Sequence, residues 1–334
     1  MASQDNITVI GAGSWGTALA VQFARTGRPT LLWGRAEDEP DRLARERQNA
    51  RYLPGAVFPP ALTVEADLAR AVGASRDVLV VVPSSALRAV LTQIRPLLRP
   101  DARVAWATKG FELATGKLPH QVAREVLGEE VPVAVLSGPT FAKEVGAGKL
   151  PTAIAVASPD EKFARELAQS LTTPTFRAYL QPDIIGVEVG AAVKNVIAIA
   201  TGAADGLGFG ANTRVFLITR GLAEMVRLGV ALGAQRETFM GLAGLGDLVL
   251  TCTDDQSRNR RFGIAVAKGK TPEEALREIG QVVEGYQASR AVRAVAQQLG
   301  IDMPITDAVY RVAHEGLPLQ QAAEALLSRA ITPE

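Results

Sequence analysis

Apolar residues in the first half of the chain fall in short β-branched runs separated by helical patterns. "ITVIG" (7–11), "TLLWG" (30–34), "DVLVVVP" (77–83), "RVAWAT" (103–108), "PVAVLSG" (132–138) and "TAIAVAS" (152–158) read as strands, with a further short one near "TFRAY" (175–179). Strands that alternate with helices are the signature of a parallel sheet flanked by helices. "VLVVV" has the unbroken apolar character of a central strand covered on both faces. From about residue 184 the strand signals stop. Helical patterns follow at 184–203, 213–231, 235–250, 257–268, 272–280, 287–299, 304–314 and 318–327. The pattern predicts an α/β chain: a doubly wound sheet domain over 1–186, then an all-α domain over 187–334.

One of these helices raises a question. "GVEVGAAVKNVIAIATGAADGLG" (186–208) is apolar on nearly every side, and a helix of that kind is buried. Yet Lys194 and Asn195 sit in its middle. An ammonium is expensive to take out of water unless it is paired. Either the lysine snorkels to solvent or it has a task that needs burial.

With 334 residues the chain can hold two domains, each with its own core. A net charge of +1 gives no reason to expect a nucleic acid or a membrane surface as partner. The start, "MASQDNITVI", lacks a basic region followed by an apolar core, and no 18-residue window is apolar without charges. The expectation is a cytoplasmic protein with no signal peptide and no spanning helix. The single cysteine, Cys252, excludes internal disulfides and fits a reducing compartment. With two widely separated histidines beside it, no metal site is expected. Of 36 basic residues only eight are lysines, and none precedes Lys109. A lysine kept in such a chain is more apt to be needed as one, because lysine releases its proton and arginine does not.

Gly11, Gly13 and Gly16 in "ITVIGAGSWGTALAVQFARTG" have G-x-G-x-x-G spacing, directly after a strand and at the opening of an Ala/Leu-rich helix. That context gives the triplet its meaning. Gly11 permits the tight turn, Gly13 lets a pyrophosphate approach the backbone, and Gly16 lets the helix pack on the sheet. The helix N-terminus offers N–H groups and a positive dipole end to phosphates. The first domain is therefore expected to be of the Rossmann type and to bind a dinucleotide. At the end of the second strand a carboxylate would favour NAD and an arginine NADP. Here "LLWGR" places Gly34 and Arg35. Arg35 argues for NADP(H) as the preferred cofactor, and the acidic Glu37 and Asp38 that follow keep NAD(H) possible.

Four further stretches stand out. "ATKGFE" (107–112) puts Lys109 just past a strand's carboxyl end, where open α/β sheets bind ligands. "LSGPTFAKEV" (136–145) puts Gly138 and Thr140 at the end of another. "GLAGLGDLVLTCTDDQSRNRRFG" (241–263) holds Asp247, Ser257, Arg258 and Asn259, and "VVEGYQASRAV" (282–292) holds Glu284. With "GAGSWGTALA", "ATKGFE", "LSGP", "VGAAVKNVIAIATG", "GLGDLVLTCT" and "SRNRRFG" in this order, the chain resembles the NAD(P)-dependent glycerol-3-phosphate dehydrogenase family in its bacterial form, from residue 7 to about residue 325.

The resemblance implies an active site between a Rossmann-type domain and a helical one, a homodimer, and interconversion of dihydroxyacetone phosphate and sn-glycerol 3-phosphate for phospholipid synthesis. It assigns Ser14, Trp15, Arg35, Ala142, Val282 and Glu284 to the cofactor, beside Gly11, Gly13 and Gly16 of the turn. Lys109 would touch both cofactor and substrate. Gly138 and Thr140 would be substrate positions, and Ser257, Arg258 and Asn259 the substrate-phosphate site, with Arg258 also near the nicotinamide nucleotide. Lys194 would be the catalytic proton acceptor, with Asp247 an acid beside it.

The residues support this chemistry by themselves. Reducing a ketone needs a bound nicotinamide, a proton donor for the developing alkoxide and anchors for the rest of the substrate. His120 and His314 lie in no motif, which leaves lysine as the acid. Burial and a neighbouring cation such as Lys109 lower a lysine's pKa toward working pH, and Asp247 would orient the ammonium. Arg258 and Asn259 supply donors for a phosphate, helped by the helix N-terminus if Ser257 caps it. Cys252 is expected to be a packed residue. Two rivals are a dehydrogenase of the β-hydroxyacid type, in which Lys and Asn lie four residues apart rather than adjacent, and a nucleotide-sensing protein without turnover.

Overall fold

A computed structural model describes residues 5–328. The chain forms two compact units. One is built from the chain up to Lys109 together with Pro119–Val187, the other from Gly110–Leu118 and the chain from Glu188 onward. Residues 110–118 thus belong to the second unit, although they lie in sequence within the first.

The first unit holds an eight-stranded sheet: β1 (Ile7–Ile10), β2 (Thr30–Trp33), β3 (Leu62–Val64), β4 (Asp77–Val80), β5 (Arg103–Trp106), β6 (Val133–Ser137), β7 (Thr152–Ala157) and β8 (Phe176–Gln181). The spatial order is β8-β7-β6-β5-β4-β1-β2-β3. All pairs are parallel except β6 with β7. After β3 the chain crosses back to pair β4 with β1, so the strand order reverses at β1, the place where doubly wound sheets bind ligands. Ile7, Val9, Leu32 and Leu79 of the central strands are fully buried with Leu19 and Phe23 of the helix Ser14–Arg25. At the other end of the strands Asp77 accepts from Arg103 Nε at 2.7 Å and from Arg28 Nη2 at 2.5 Å. Burial pushes its carboxyl up, but the two guanidinium groups prevail and hold it below the usual carboxylate range.

Two elements depart from the sequence expectation. β3 was not foreseen, nor was a small antiparallel pair of Gln48–Asn49 with Leu53–Val57. Runs of two to five residues are too short to show a period.

The second unit is helical. Its axis is the helix Ile184–Gly206, on which Val189, Ala192, Val193, Val196, Ile197 and Ala198 have no exposed surface. This helix is long and apolar enough to cross a membrane, with mean hydropathy 1.6, but 94% of its most apolar window is buried within the protein. Three segments press directly on its backbone. A Cβ added to Gly190 would fall 2.4 Å from the Ala243 carbonyl oxygen, and one on Gly202 would fall 2.1 Å from that of Arg260. A Cβ on Gly285 would fall 2.4 Å from the carbonyl oxygen of Asn195. Missing side chains, not flexible ones, allow this approach. At the unit's far side Glu224 accepts from the Ile305 and Thr306 backbone N–H groups, fastening the helix Ala211–Ala231 to the helix Pro304–His314.

The crossing at Gly202 yields a test. Gly202→Ala should destabilise the protein by about 1–3 kcal/mol, the usual cost of overpacking. Gly73→Ala, whose nearest neighbour is an oxygen 3.9 Å from the new carbon, should not. Thermal unfolding of the two variants checks the contrast.

Candidate active site

In the first unit, β1, β2, β4, β5 and β6 are mutually parallel and end on the same edge of the sheet. Gly11, Arg35, Lys109 and Gly138 follow β1, β2, β5 and β6, so all four stand at that edge. Gly11 has φ +115°, which favours glycine. A Cβ on Gly16 would fall 1.9 Å from the Gly11 carbonyl oxygen, so the helix can close on the turn only with glycine there. Around the Cα of Gly13 there is nothing within 4 Å of an added Cβ.

Gly13 is the N-cap of the helix Ser14–Arg25 and no side chain caps the first turn. The buried indole Nε1 of Trp15 has no hydrogen-bond partner. An open glycine, uncapped N–H groups and an orphaned indole N–H fit the pyrophosphate and neighbouring groups of a dinucleotide. Asn49 buttresses the turn from below, donating to the Ala12 carbonyl at 2.8 Å and to Thr17 Oγ1 at 2.9 Å. Thr140 folds back to donate to the Gly138 carbonyl at 3.2 Å, and Ala142 opens the helix Ala142–Ala147. Ser137, just before Gly138, carries a buried hydroxyl oxygen without a partner.

In the second unit Lys194 is 5% exposed and does not snorkel. Its Nζ donates to Asp247 Oδ1 at 2.5 Å and to Thr251 Oγ1 at 3.0 Å. Asp247 is itself 1% exposed, so the pair is shielded from water and its attraction is far stronger than at a surface. The sequence suggested one helix over 235–250. The chain instead makes a tight turn at Arg236–Met240, a wide π turn at Leu242–Gly246, and an α-helix only from Asp247 to Thr253. Gly244 permits the wide turn, because a Cβ there would fall 2.2 Å from the Phe239 carbonyl oxygen. Such π turns cluster at functional sites, and this one sets Asp247 and Thr251 on one face, four residues apart.

Asn195, beside the lysine, donates to Glu284 Oε2 at 3.0 Å and accepts from Asn259 Nδ2 at 2.8 Å. Asn259 Oδ1 in turn accepts from the Gly285 N–H at 2.8 Å. This chain of bonds ties Glu284 and Asn259 to the lysine's helix, and it spends one of the two amide hydrogens of Asn259. Ser257 caps the helix Arg258–Ala267 by accepting from the Arg260 N–H. Of the arginines in "SRNRR", Arg260 is held by Asp205 and Asp255. Arg258, half-buried at the first helical position, has no carboxylate partner among the described residues. Val282 is half-exposed, two residues before Glu284.

Cys252 is fully buried, and burial pushes its thiol up to about 12, which makes it a packed residue and not a nucleophile. His314 is packed against Tyr286 and Tyr310 and lies 3.0 Å from Ser289 Oγ; burial lowers its pKa. His120 is buried in the helix Pro119–Leu127. Sequence reasoning gave no role to Asn49, Ser137, Asn195 or Thr251. Thr251 alone left a readable trace, since it lies one helical turn after Asp247.

The chain is similar along nearly its whole length to known proteins. Residues 6–164 match the family model of the NAD-dependent glycerol-3-phosphate dehydrogenase N-terminus, and residues 183–324 match that of the C-terminus. A protein of Serratia proteamaculans named glycerol-3-phosphate dehydrogenase (NAD(P)+) is 59% identical over 97% of this chain and 96% of its own. A Shigella boydii protein of the same name is 57% identical over equal shares. The crystal structure of glycerol-3-phosphate dehydrogenase from Coxiella burnetii superposes with a TM-score of 0.94 at 48% identity, covering 98% of this chain and 99% of that one. A D-mandelate dehydrogenase, at 13% identity and a TM-score of 0.63, shares the fold alone. The chain belongs to the NAD-dependent glycerol-3-phosphate dehydrogenase family.

Proposed function

We propose that this protein interconverts dihydroxyacetone phosphate and sn-glycerol 3-phosphate with NAD(P)(H). The observation that carries the reading is the buried Lys194–Asp247 pair. A buried ion pair contributes little net stability compared with apolar residues of the same volume, so its presence on an apolar helix points to chemistry. When bound, the nicotinamide supplies or accepts the hydride. Lys194 Nζ gives its proton to the carbonyl oxygen as that oxygen gains charge, and takes it back in the opposite direction. Asp247 holds the ammonium in place and offsets its burial, and Thr251 Oγ1 fixes its orientation.

Arg258, with Ser257 and the remaining N–H of Asn259, binds the substrate phosphate, and Lys109 touches cofactor and substrate. Gly138 and Thr140 border the substrate. The turn Gly11–Gly16, with Ser14 and Trp15, takes the pyrophosphate end of the cofactor, while Ala142, Val282 and Glu284 contact it elsewhere. The exposed Arg35 is available to a 2′-phosphate, which makes NADP(H) the preferred cofactor and NAD(H) an accepted one. The family resemblance supports the homodimer, the cytoplasmic location and the supply of product to phospholipid synthesis. Loss of NADPH absorbance on addition of dihydroxyacetone phosphate tests the activity itself; absence of turnover with folded protein would contradict it.

Three variants test the assignments. Gly13→Ala should cost no more stability than the ~1 kcal/mol of an alanine N-cap yet weaken NADPH binding strongly, because its methyl group enters the space left for the pyrophosphate. Calorimetric titration beside a melting curve separates the two effects. Lys194→Met should fold and bind NADPH while kcat drops roughly 10²–10⁴-fold, the usual worth of a positioned acid or base; steady-state kinetics at saturating cofactor reads this. Arg258→Ala should raise KM for dihydroxyacetone phosphate by the equivalent of about 2–5 kcal/mol and affect unphosphorylated dihydroxyacetone much less. Equal losses for both substrates, with NADPH affinity intact, would remove Arg258 from the phosphate site.

A further inference from the structure

Doubly wound sheets read the ribose 2′ position at the end of the second strand, where NAD-selective proteins place a carboxylate. Here that place is Gly34, and no side chain fits on it. A Cβ at Gly34 would fall 2.7 Å from the Ala12 Cβ and 3.1 Å from the Asp38 Cβ. Asp38 supplies a carboxylate to this space from the turn that follows: its Oδ2 is only 3.3 Å from the Gly34 Cβ position. The same oxygen accepts from the Arg35 backbone N–H at 2.9 Å and lies 3.5 Å from Arg35 Nε. The Asp38 side chain is 7% exposed, whereas that of Arg35 is 66% exposed. Glu37 also approaches Arg35 Nε, at 3.9 Å, but its side chain is 72% exposed and screened by water.

We propose that Asp38 is a specificity-determining residue that limits how far this chain prefers NADPH over NADH. Its carboxylate is fixed and shielded, so it offsets part of the Arg35 charge and repels a 2′-phosphate brought to that guanidinium. A ribose 2′-hydroxyl meets no such repulsion. One residue thereby does two jobs: it shapes the turn that presents Arg35, and it limits how strongly Arg35 selects NADPH. The proposal rests on the reading that Arg35 faces the 2′ position of the bound cofactor.

The test measures dissociation constants of NADPH and NADH by calorimetry for the full-length protein, with 2′,5′-ADP and 5′-AMP as fragments that carry only this end of the cofactor. Asp38→Asn keeps an oxygen for the Arg35 N–H and removes the charge; Asp38→Ser is a second route to the same neutralisation, and melting curves establish that each is folded. Both should shift the preference toward NADPH and 2′,5′-ADP by about tenfold, the effect of removing one charge at short, partly screened range. Glu37→Gln should shift it several-fold less. In an Arg35→Ser background the Asp38→Asn effect should shrink. If Arg35→Ser weakens NADPH selectively but neither Asp38 variant moves the ratio, the role of Asp38 is overturned and the cofactor reading stands. If Arg35→Ser leaves the ratio unchanged, the reading of the Arg35 turn itself falls, and the proposal with it.

Discussion

The second unit depends on how closely other backbones can approach the helix Ile184–Gly206. Gly190 meets the Ala243 carbonyl, Gly202 meets that of Arg260, and Gly285 meets that of Asn195. Each contact brings in a segment that bears a candidate site residue: the turn before Asp247, the helix that begins at Arg258, and the helix that begins at Glu284. Close packing removes water from Lys194 and forces its ammonium onto Asp247. Apolar packing and the burial of this ion pair are thus one constraint here. Had side chains kept these segments a few ångströms away, the lysine would be open to water.

The first unit obeys a different constraint. Its central strands are buried along their whole length, so their chemistry lies at their ends. At one end Asp77 is locked between Arg28 and Arg103, a buried charge cluster that uses up its own valences and binds the ends of strands together. At the other end stand groups left open: an uncapped helix N-terminus, an orphaned indole N–H and an exposed Arg35.

Much of this was legible in the sequence because long elements carry their period. The central strands and most helices of the second unit were found within a few residues of their ends, and the Gly11–Gly16 turn was readable from context. What escaped was short or non-periodic. β3 has three residues, and the pair Gln48–Asn49 with Leu53–Val57 places Asn49 under the glycine turn by tertiary contact alone. The helix expected over 235–250 is broken because Gly244 allows a wide turn that apolar periodicity does not reveal. Residue types and order pointed to Lys194 and Asp247, but not to the bonds that join Asn195, Asn259, Gly285 and Glu284. Those partners lie 26 to 89 residues apart, and no spacing rule connects them.

If Lys194 moves a proton and is more than a buried counter-charge to Asp247, a fixed positive charge in its place does not sustain turnover. Lys194→Arg isolates this, because a guanidinium keeps the positive charge and can pair with Asp247 but does not release a proton near neutral pH. The measurement is single-turnover reduction of saturating dihydroxyacetone phosphate by bound NADPH, followed by absorbance, in a variant whose melting temperature and NADPH affinity match the wild type. Proton transfer by Lys194 implies a rate constant lower by roughly 10²-fold or more for this variant. A rate close to that of the wild type would contradict it.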